Sequence, residues 1–247
     1  MIPLVFIQAD ADGEPYSTNG AAAERGFRSL GYETRRFLRE EIDSLPLVPE
    51  NIVVGGMGCL HAVWERLGVR VPVHFSAPAV LAPFLGRESW RTTQAELLGA
   101  DRFPVFVKPY EDSKLFNGQV VRGAEELTIL LEPRPGFPAV AADVPLLAQE
   151  PVNFDTEWRV FVLRGRAVGI AHYRGDLLIF PAGGLIRAVL GAYASAPAGY
   201  SADFGVTDTG RTLLVETNDG YALGYMGIAE ARYAELLRAR WEEITGT

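Results

Sequence analysis

Cysteine is nearly absent: Cys59 stands alone among 247 residues, which excludes an internal disulfide and agrees with a reducing compartment. Histidine is scarce too. His61, His74 and His172 show no metal-ligand spacing and complete no Ser-His-Asp order, so neither a histidine-based metal centre nor histidine catalysis is expected. No apolar run approaches the roughly 18 residues of a membrane span, and Met1-Ile2-Pro3-Leu4-Val5-Phe6 lacks the basic segment and cleavage pattern of a secretory signal. A cytoplasmic location without a membrane partner is therefore expected. Positive charge is in deficit, and a net charge of -8 opposes broad attraction to nucleic acid or an anionic lipid surface. A Walker-type phosphate loop is missing, and Gly55-Gly56-Met57-Gly58 lacks the third glycine of a dinucleotide fingerprint. Repeats and low-complexity segments are absent as well, and the chain is silent on oligomeric state.

What is present reads as α/β followed by α+β. An apolar run at 2–7, a helix from about Gly20 to Leu30 and a strand near Tyr32 to Phe37 form a βαβ unit. Ile52-Val53-Val54, a helix from Cys59 to Leu67 stopped by Gly68, and a short strand from Val69 to Val73 extend it. Cys59 reads as a small core residue, with a nucleophilic role near His61 as the alternative. Ser76 to Gly86, interrupted by Pro78 and Pro83, is the boundary candidate, giving domains at 1–88 and 89–247. Beyond it come strands at Phe103–Pro109, Gln119–Val121 and Leu146–Val152 and a helix at Ala124–Leu131. A hairpin of Glu157–Leu163 with Ala167–Tyr173 turns around Arg164-Gly165-Arg166. A Gly/Ala-rich loop from Pro181 to Gly199, read with Asp10 to Asn19 as the substrate side, and an amphipathic helix from Ile228 to Ile244 complete the chain.

The most informative segment is Leu214-Val215-Glu216-Thr217-Asn218. Strand alternation places Thr212, Leu214, Glu216 and Asn218 on one face. If Thr209 and Gly210 form a two-residue hairpin loop, Asp203 falls opposite Glu216; a three-residue loop moves the register by one. Opposed like charges destabilise a ladder unless neutralised, and a hard cation such as magnesium, held by Asp203, Glu216 and Asn218, would do so. The alternative is an exposed hairpin with solvated acids.

Lys108 ends an apolar strand, where its ammonium needs solvent or an anion such as a triphosphate. Lys114, with Ser113, Asn117 and Gly118, sits in a loop whose backbone can approach phosphate, or is simply solvated. Glu157 and Arg159 share a face, and the hairpin brings Arg174 beside them. They form either a surface ion-pair cluster or a clamp for phosphate or carboxylate oxygens, with Glu157 free for a hydroxyl or amine. His172 shares a face with Arg174 on simple alternation.

In order, Val107-Lys108-Pro109, the Lys114–Gly118 loop, Gln149-Glu150-Pro151-Val152, Glu157-Trp158-Arg159, Asp203 and Glu216-Thr217-Asn218 resemble the ATP-grasp superfamily over about 90–247. Residues 1 to about 88 resemble the small α/β domain that precedes the grasp fold in many members. The resemblance implies two α+β subdomains clasping ATP, and an ADP-forming ligase that joins a carboxylate to an amine through an acyl phosphate. It implies Lys108 and Lys114 on the nucleotide phosphates, Gln149 to Val152 as the adenine hinge, Glu157 on the ribose, and Asp203, Glu216 and Asn218 on Mg2+. Many ligases carry an arginine two residues before the metal aspartate. Ser201 stands there in this chain, so Arg159 or Arg174 would supply the clamp, as in a clade of compact bacterial and phage members whose substrates are mostly unassigned. Small-molecule or peptide carboxylates and amines are the implied partners. The rival readings are a nucleotidyl-transferring relative that forms a lysyl-AMP adduct, and a non-catalytic ATP-binding regulator.

Overall fold

The structure is a computed structural model that describes residues 4–70, 72–73, 76–100, 102–111, 115–133, 135 and 137–247. Three sheets organise these residues. In the first, β1 (Leu4–Ala9) runs parallel to both its neighbours, β2 (Glu33–Leu38) and β3 (Ile52–Val54). Helix α1 (Thr18–Ser29) links β1 to β2, and its first turn is capped by Ser17, whose Oγ accepts from Gly20 N. Helix α2 (Met57–Leu67) follows β3 and ends at Gly68, which adopts the left-handed conformation at φ 66°. The expected strand from Val69 to Val73 does not form at its described positions. Pro72 lies in its middle and offers no N–H to a ladder.

Strand β4 (Ser89–Thr92) and helix α3 (Gln94–Ala100), neither evident from periodicity, open the second unit. Then come β5 (Val105–Pro109), β6 (Gln119–Val121), α4 (Ala124–Leu131) and β7 (Leu146–Gln149) in an antiparallel sheet of order β4-β7-β5-β6. Alternation along β5 buries Val105 and Val107 against Leu127 and Leu130, leaving Phe106 and Lys108 for the opposite face.

The third sheet, order β11-β10-β8-β9, contains β8 (Phe154–Leu163), β9 (Arg166–Gly175), β10 (Gly199–Thr207) and β11 (Thr212–Asp219). One face packs Val160, Val162, Ala202, Phe204 and Leu214 against Ile186 and Val189 of α5 (Gly183–Ala192). The Gly/Ala-rich stretch is thus partly helical, and α5 covers an apolar core where a loop on the substrate side was expected. Ile186, Val189 and Leu190 recur at helical spacing, and burying such side chains stabilises by about 1.5–3 kcal/mol each, more than glycine costs a helix. On the other face Phe161 and Ala171 join the core of the first sheet, completed by Tyr233, Leu237 and Trp241 of α6 (Glu230–Thr245). Gly26 lets α1 approach α6 closely: a Cβ there would lie 2.2 Å from Glu230 O. No helix among the described residues is long and apolar enough to cross a membrane.

Candidate nucleotide and metal site

The β10–β11 hairpin closes differently from the two-residue expectation, yet opposes the same residues. Thr207 N donates to Arg211 O (2.9 Å) and Gly210 N to Thr207 O (2.8 Å), leaving a three-residue loop with Gly210 at φ 77°. Near the turn Phe204 therefore faces Leu214. The register then shifts between Phe204 and Asp203, with Val215 as the additional residue, so Asp203 faces Glu216 and Ser201 faces Asn218. The longer loop and the bulge cancel. Leu214 accordingly turns into the core with Phe204 while Glu216 and Asn218 stay with Asp203, which corrects the single face expected for Leu214, Glu216 and Asn218.

A second bulge changes the other hairpin. Glu157 pairs with Arg174, but Trp158 pairs with His172, leaving Tyr173 extra. His172 packs edge-on to Trp158 with ring centroids 5.0 Å apart, on the opposite side from Arg174, so the shared face expected for His172 is wrong. Tyr173 takes its place, donating to Glu157 Oε2 at 2.8 Å. The sequence reading missed it because bulges leave no periodic signal.

Glu216, Asp203 and Glu157 each have a cationic partner. Lys108 Nζ lies 2.5 Å from Glu216 Oε2. Arg159 grips Asp203 with Nε to Oδ1 at 2.8 Å and Nη2 to Oδ2 at 2.7 Å. Arg174 Nη1 meets Glu157 Oε1 at 2.7 Å. The Asn218 amide satisfies both neighbours with its oxygen 3.1 Å from Arg159 Nη2 and its nitrogen 3.3 Å from Glu216 Oε1. Burial pushes the Asp203 carboxyl above the usual carboxylate range, against the pull of Arg159. At Glu216 burial is outweighed by Lys108 and Arg159, which hold the carboxyl below its ordinary value. Burial and the surrounding carboxylates raise the Tyr173 phenol, which stays protonated as a donor.

These residues border a cleft of about 570 Å3 between the second and third sheets. Lys108, Glu157, Arg174, Glu216 and the segment Gln149–Val152 line it, together with Arg87, Phe106, Tyr173 and Val215, none of which was singled out from sequence. Arg159, Asp203 and Asn218 lie behind that lining, with Asp203 only 1 % exposed. Lys114 and Ser113, like His74, fall outside the described residues. Gly118 closes in on β5, where a Cβ would lie 2.6 Å from Phe106 and 3.0 Å from Lys108 Cβ. Along this segment Glu150 N is taken by Glu88 O (3.1 Å), while Val152 N–H makes no hydrogen bond to the described residues.

Glu216, with Asp203 and Asn218 beside it, presents oxygen donors of the hard type that magnesium prefers, and Lys108 is paired with Glu216. No cluster of three or more His, Cys, Asp or Glu side chains of metal-holding geometry occurs among the described residues. A metal here would rest on two carboxylates, an amide and the oxygens of its nucleotide. Among the described residues, the cations Arg87, Lys108, Arg159 and Arg174 in and behind the cleft lining balance Glu150, Glu157, Asp203 and Glu216, leaving no surplus negative charge to attract a bare cation.

Two expectations follow outside the metal set. Arg174 is 70 % exposed in its ion pair, so Arg174→Ala should change stability by less than about 1 kcal/mol in urea denaturation while weakening ligand binding. Cys59 is 2 % exposed and burial pushes its thiol up to about 11, so iodoacetamide at pH 8 should label it only after unfolding. Labelling of the folded protein would restore its candidacy as a nucleophile.

Comparisons with known proteins agree with this architecture. D-alanine–D-alanine ligase from Bacillus anthracis superposes with a TM-score of 0.56 at 15% identity, covering 98% of this chain and 96% of that one. D-cycloserine synthetase DcsG gives 0.61 at 12%, covering 98% and 99%. The macrocyclase MdnC bound with precursor peptide MdnA from Microcystis aeruginosa gives 0.51 at 12%, covering 99% and 100%. At such identities the likeness is one of fold. No curated protein matches by sequence. A family model described as an ATP-grasp domain, the second family of its clade, matches residues 84–236, more than half the chain and all of the cleft just described. With its two sheets closing on Lys108, the Gln149–Val152 segment and Glu216, the chain belongs to the ATP-grasp superfamily.

Proposed function

We propose that this protein is an ADP-forming ligase that uses magnesium-ATP to join a carboxylate to an amine. The observation that carries this reading is the placement of Glu216 opposite Asp203 with Lys108 at 2.5 Å, in a cleft whose other wall is Gln149–Val152. In this reading Val152 N–H meets the adenine edge and Glu157 the ribose, while Lys108, with Lys114, meets the phosphates. Magnesium at Asp203, Glu216 and Asn218 would neutralise charge on the β- and γ-phosphates.

Nucleotide entry would exchange partners. Lys108 would leave Glu216 for phosphate, and Arg159 would turn one N–H from Asp203 toward the γ-phosphoryl group, a task that Ser201 cannot perform. A substrate carboxylate oxygen attacks γ-phosphorus and the bond to ADP breaks. The amine then attacks the acyl carbon, inorganic phosphate leaves with the bonding electrons, and the amine loses a proton. Arg174 at the cleft mouth would hold the carboxylate or the acyl phosphate. Positioning and charge neutralisation do the chemistry, so no protein nucleophile is required. D-Alanine–D-alanine ligase and the peptide-bound macrocyclase point to amino-acid or peptide substrates.

The test is a screen of amino acids and short peptides for product formation from ATP by the purified protein. ADP released in step with an amide supports the reading. Release of AMP and pyrophosphate, or a protein-bound adenylate, would replace it with a nucleotidyl-transfer mechanism; nucleotide binding without product from any acceptor pair would leave a regulator.

A further inference from the structure

Among the described residues, Arg87 is the cationic side chain lining the cleft that the proposed chemistry does not use. It follows Gly86, whose φ of 60° belongs to the left-handed region and whose missing Cβ would lie 2.4 Å from Leu213 Cδ2. That turn brings Arg87 against β11. A guanidinium has five N–H groups, and here all are taken. Nε and Nη2 donate to Gln149 Oε1 (3.1 and 3.0 Å), Nη1 to Leu85 O (3.0 Å) and Leu214 O (2.9 Å), and Nη2 to Val215 O (2.7 Å). No donor is left for a phosphate. No carboxylate among the described residues lies in ion-pair contact either, and although burial pushes its pKa down to about 10, the group stays charged at neutral pH.

The carbonyls of Leu214 and Val215 belong to the bulge that restores the register of Glu216. A bulge leaves backbone groups without a ladder partner, and buried carbonyls without a donor are costly. Gln149, in turn, belongs to β7 of the second sheet and passes its amide nitrogen to Ser89 Oγ at 3.2 Å. We propose that Arg87 is a positioning residue: it pins the Leu214–Val215 bulge of β11 to Gln149 of β7 in the facing sheet, and so holds Glu216 at the cleft, opposite Asp203 in the β10–β11 ladder. The consequence for metal binding rests on the proposed function; the pin itself does not.

The test compares Arg87→Lys and Arg87→Met with wild type in two ways. Hydrogen exchange of the ligand-free protein reads the pin: both variants should lose protection over 212–219 and keep that of α6. Manganese titration in the presence of ADP reads the consequence: half-saturation should rise about 10- to 100-fold in both, the usual effect of losing a group that orients a metal ligand. Lysine keeps the charge but not the planar fork, so it should not rescue either readout. An R87K protein with wild-type exchange and wild-type manganese affinity would overturn the proposal, and serves as the deciding variant if R87M does not fold. If wild type itself binds no manganese with ADP, the ligase reading fails while hydrogen exchange still decides the pin.

Discussion

Glu216→Gln is expected to lower ligase turnover by about 100- to 1000-fold or more, because the amide keeps the shape but not the charge that holds the metal on the transferring phosphates. Stability should change little, within about 2 kcal/mol. Lys108 loses its partner, but its ammonium can reach the cleft, and the repulsion of Glu216 by Asp203 disappears. The informative readout is the split between steps: nucleotide affinity without metal should persist, since the hinge and Lys108 remain, while the metal dependence of turnover is lost. A variant with wild-type turnover would remove Glu216 from the site.

Arg159 and Asp203 are expected to show the largest effects on stability. Asp203 is 1 % exposed and both its oxygens are held by the Arg159 fork, so Arg159→Met or Asp203→Leu strands a buried charge and should cost about 3–5 kcal/mol. The double variant removes both charges and should lose much less than the sum of the two, a coupling readable by chemical denaturation. Additive losses would mean that the pair does not hold the strands together. In the proposed reaction, with Ser201 where many ATP-grasp ligases have an arginine, the phosphate clamp would come from Arg159 on the neighbouring strand, paired across the ladder with the acid it must release.

Charged residues at strand ends were legible in the sequence because their exceptions are local: Lys108 ends an apolar strand, and Glu216 and Asn218 alternate in one. The pairing of Asp203 with Glu216 was legible only through two compensating departures, a longer loop and a bulge, neither of which a period-two pattern encodes. Where a bulge was uncompensated the reading failed, and His172 and Tyr173 exchanged sides. Helix α5 was hidden by its glycines, since the core beneath it, and not its composition, stabilises it. Arg87 was invisible for a different reason. Apart from Leu85 O next door, its partners are two backbone carbonyls and one amide lying 62 to 128 residues away, and nothing in Leu85-Gly86-Arg87 announces them.

Glu157, Asp203 and Glu216 are paired with the cleft's own lysine and arginines before any ligand arrives, so metal should enter together with nucleotide. Titrating manganese into the protein by electron paramagnetic resonance, with and without ADP, tests this directly. The account predicts negligible binding by the nucleotide-free protein at concentrations that saturate it in the presence of ADP, and loss of the nucleotide-dependent binding in Glu216→Gln. Equal manganese binding with and without ADP, or nucleotide-dependent binding untouched by Glu216→Gln, would contradict it.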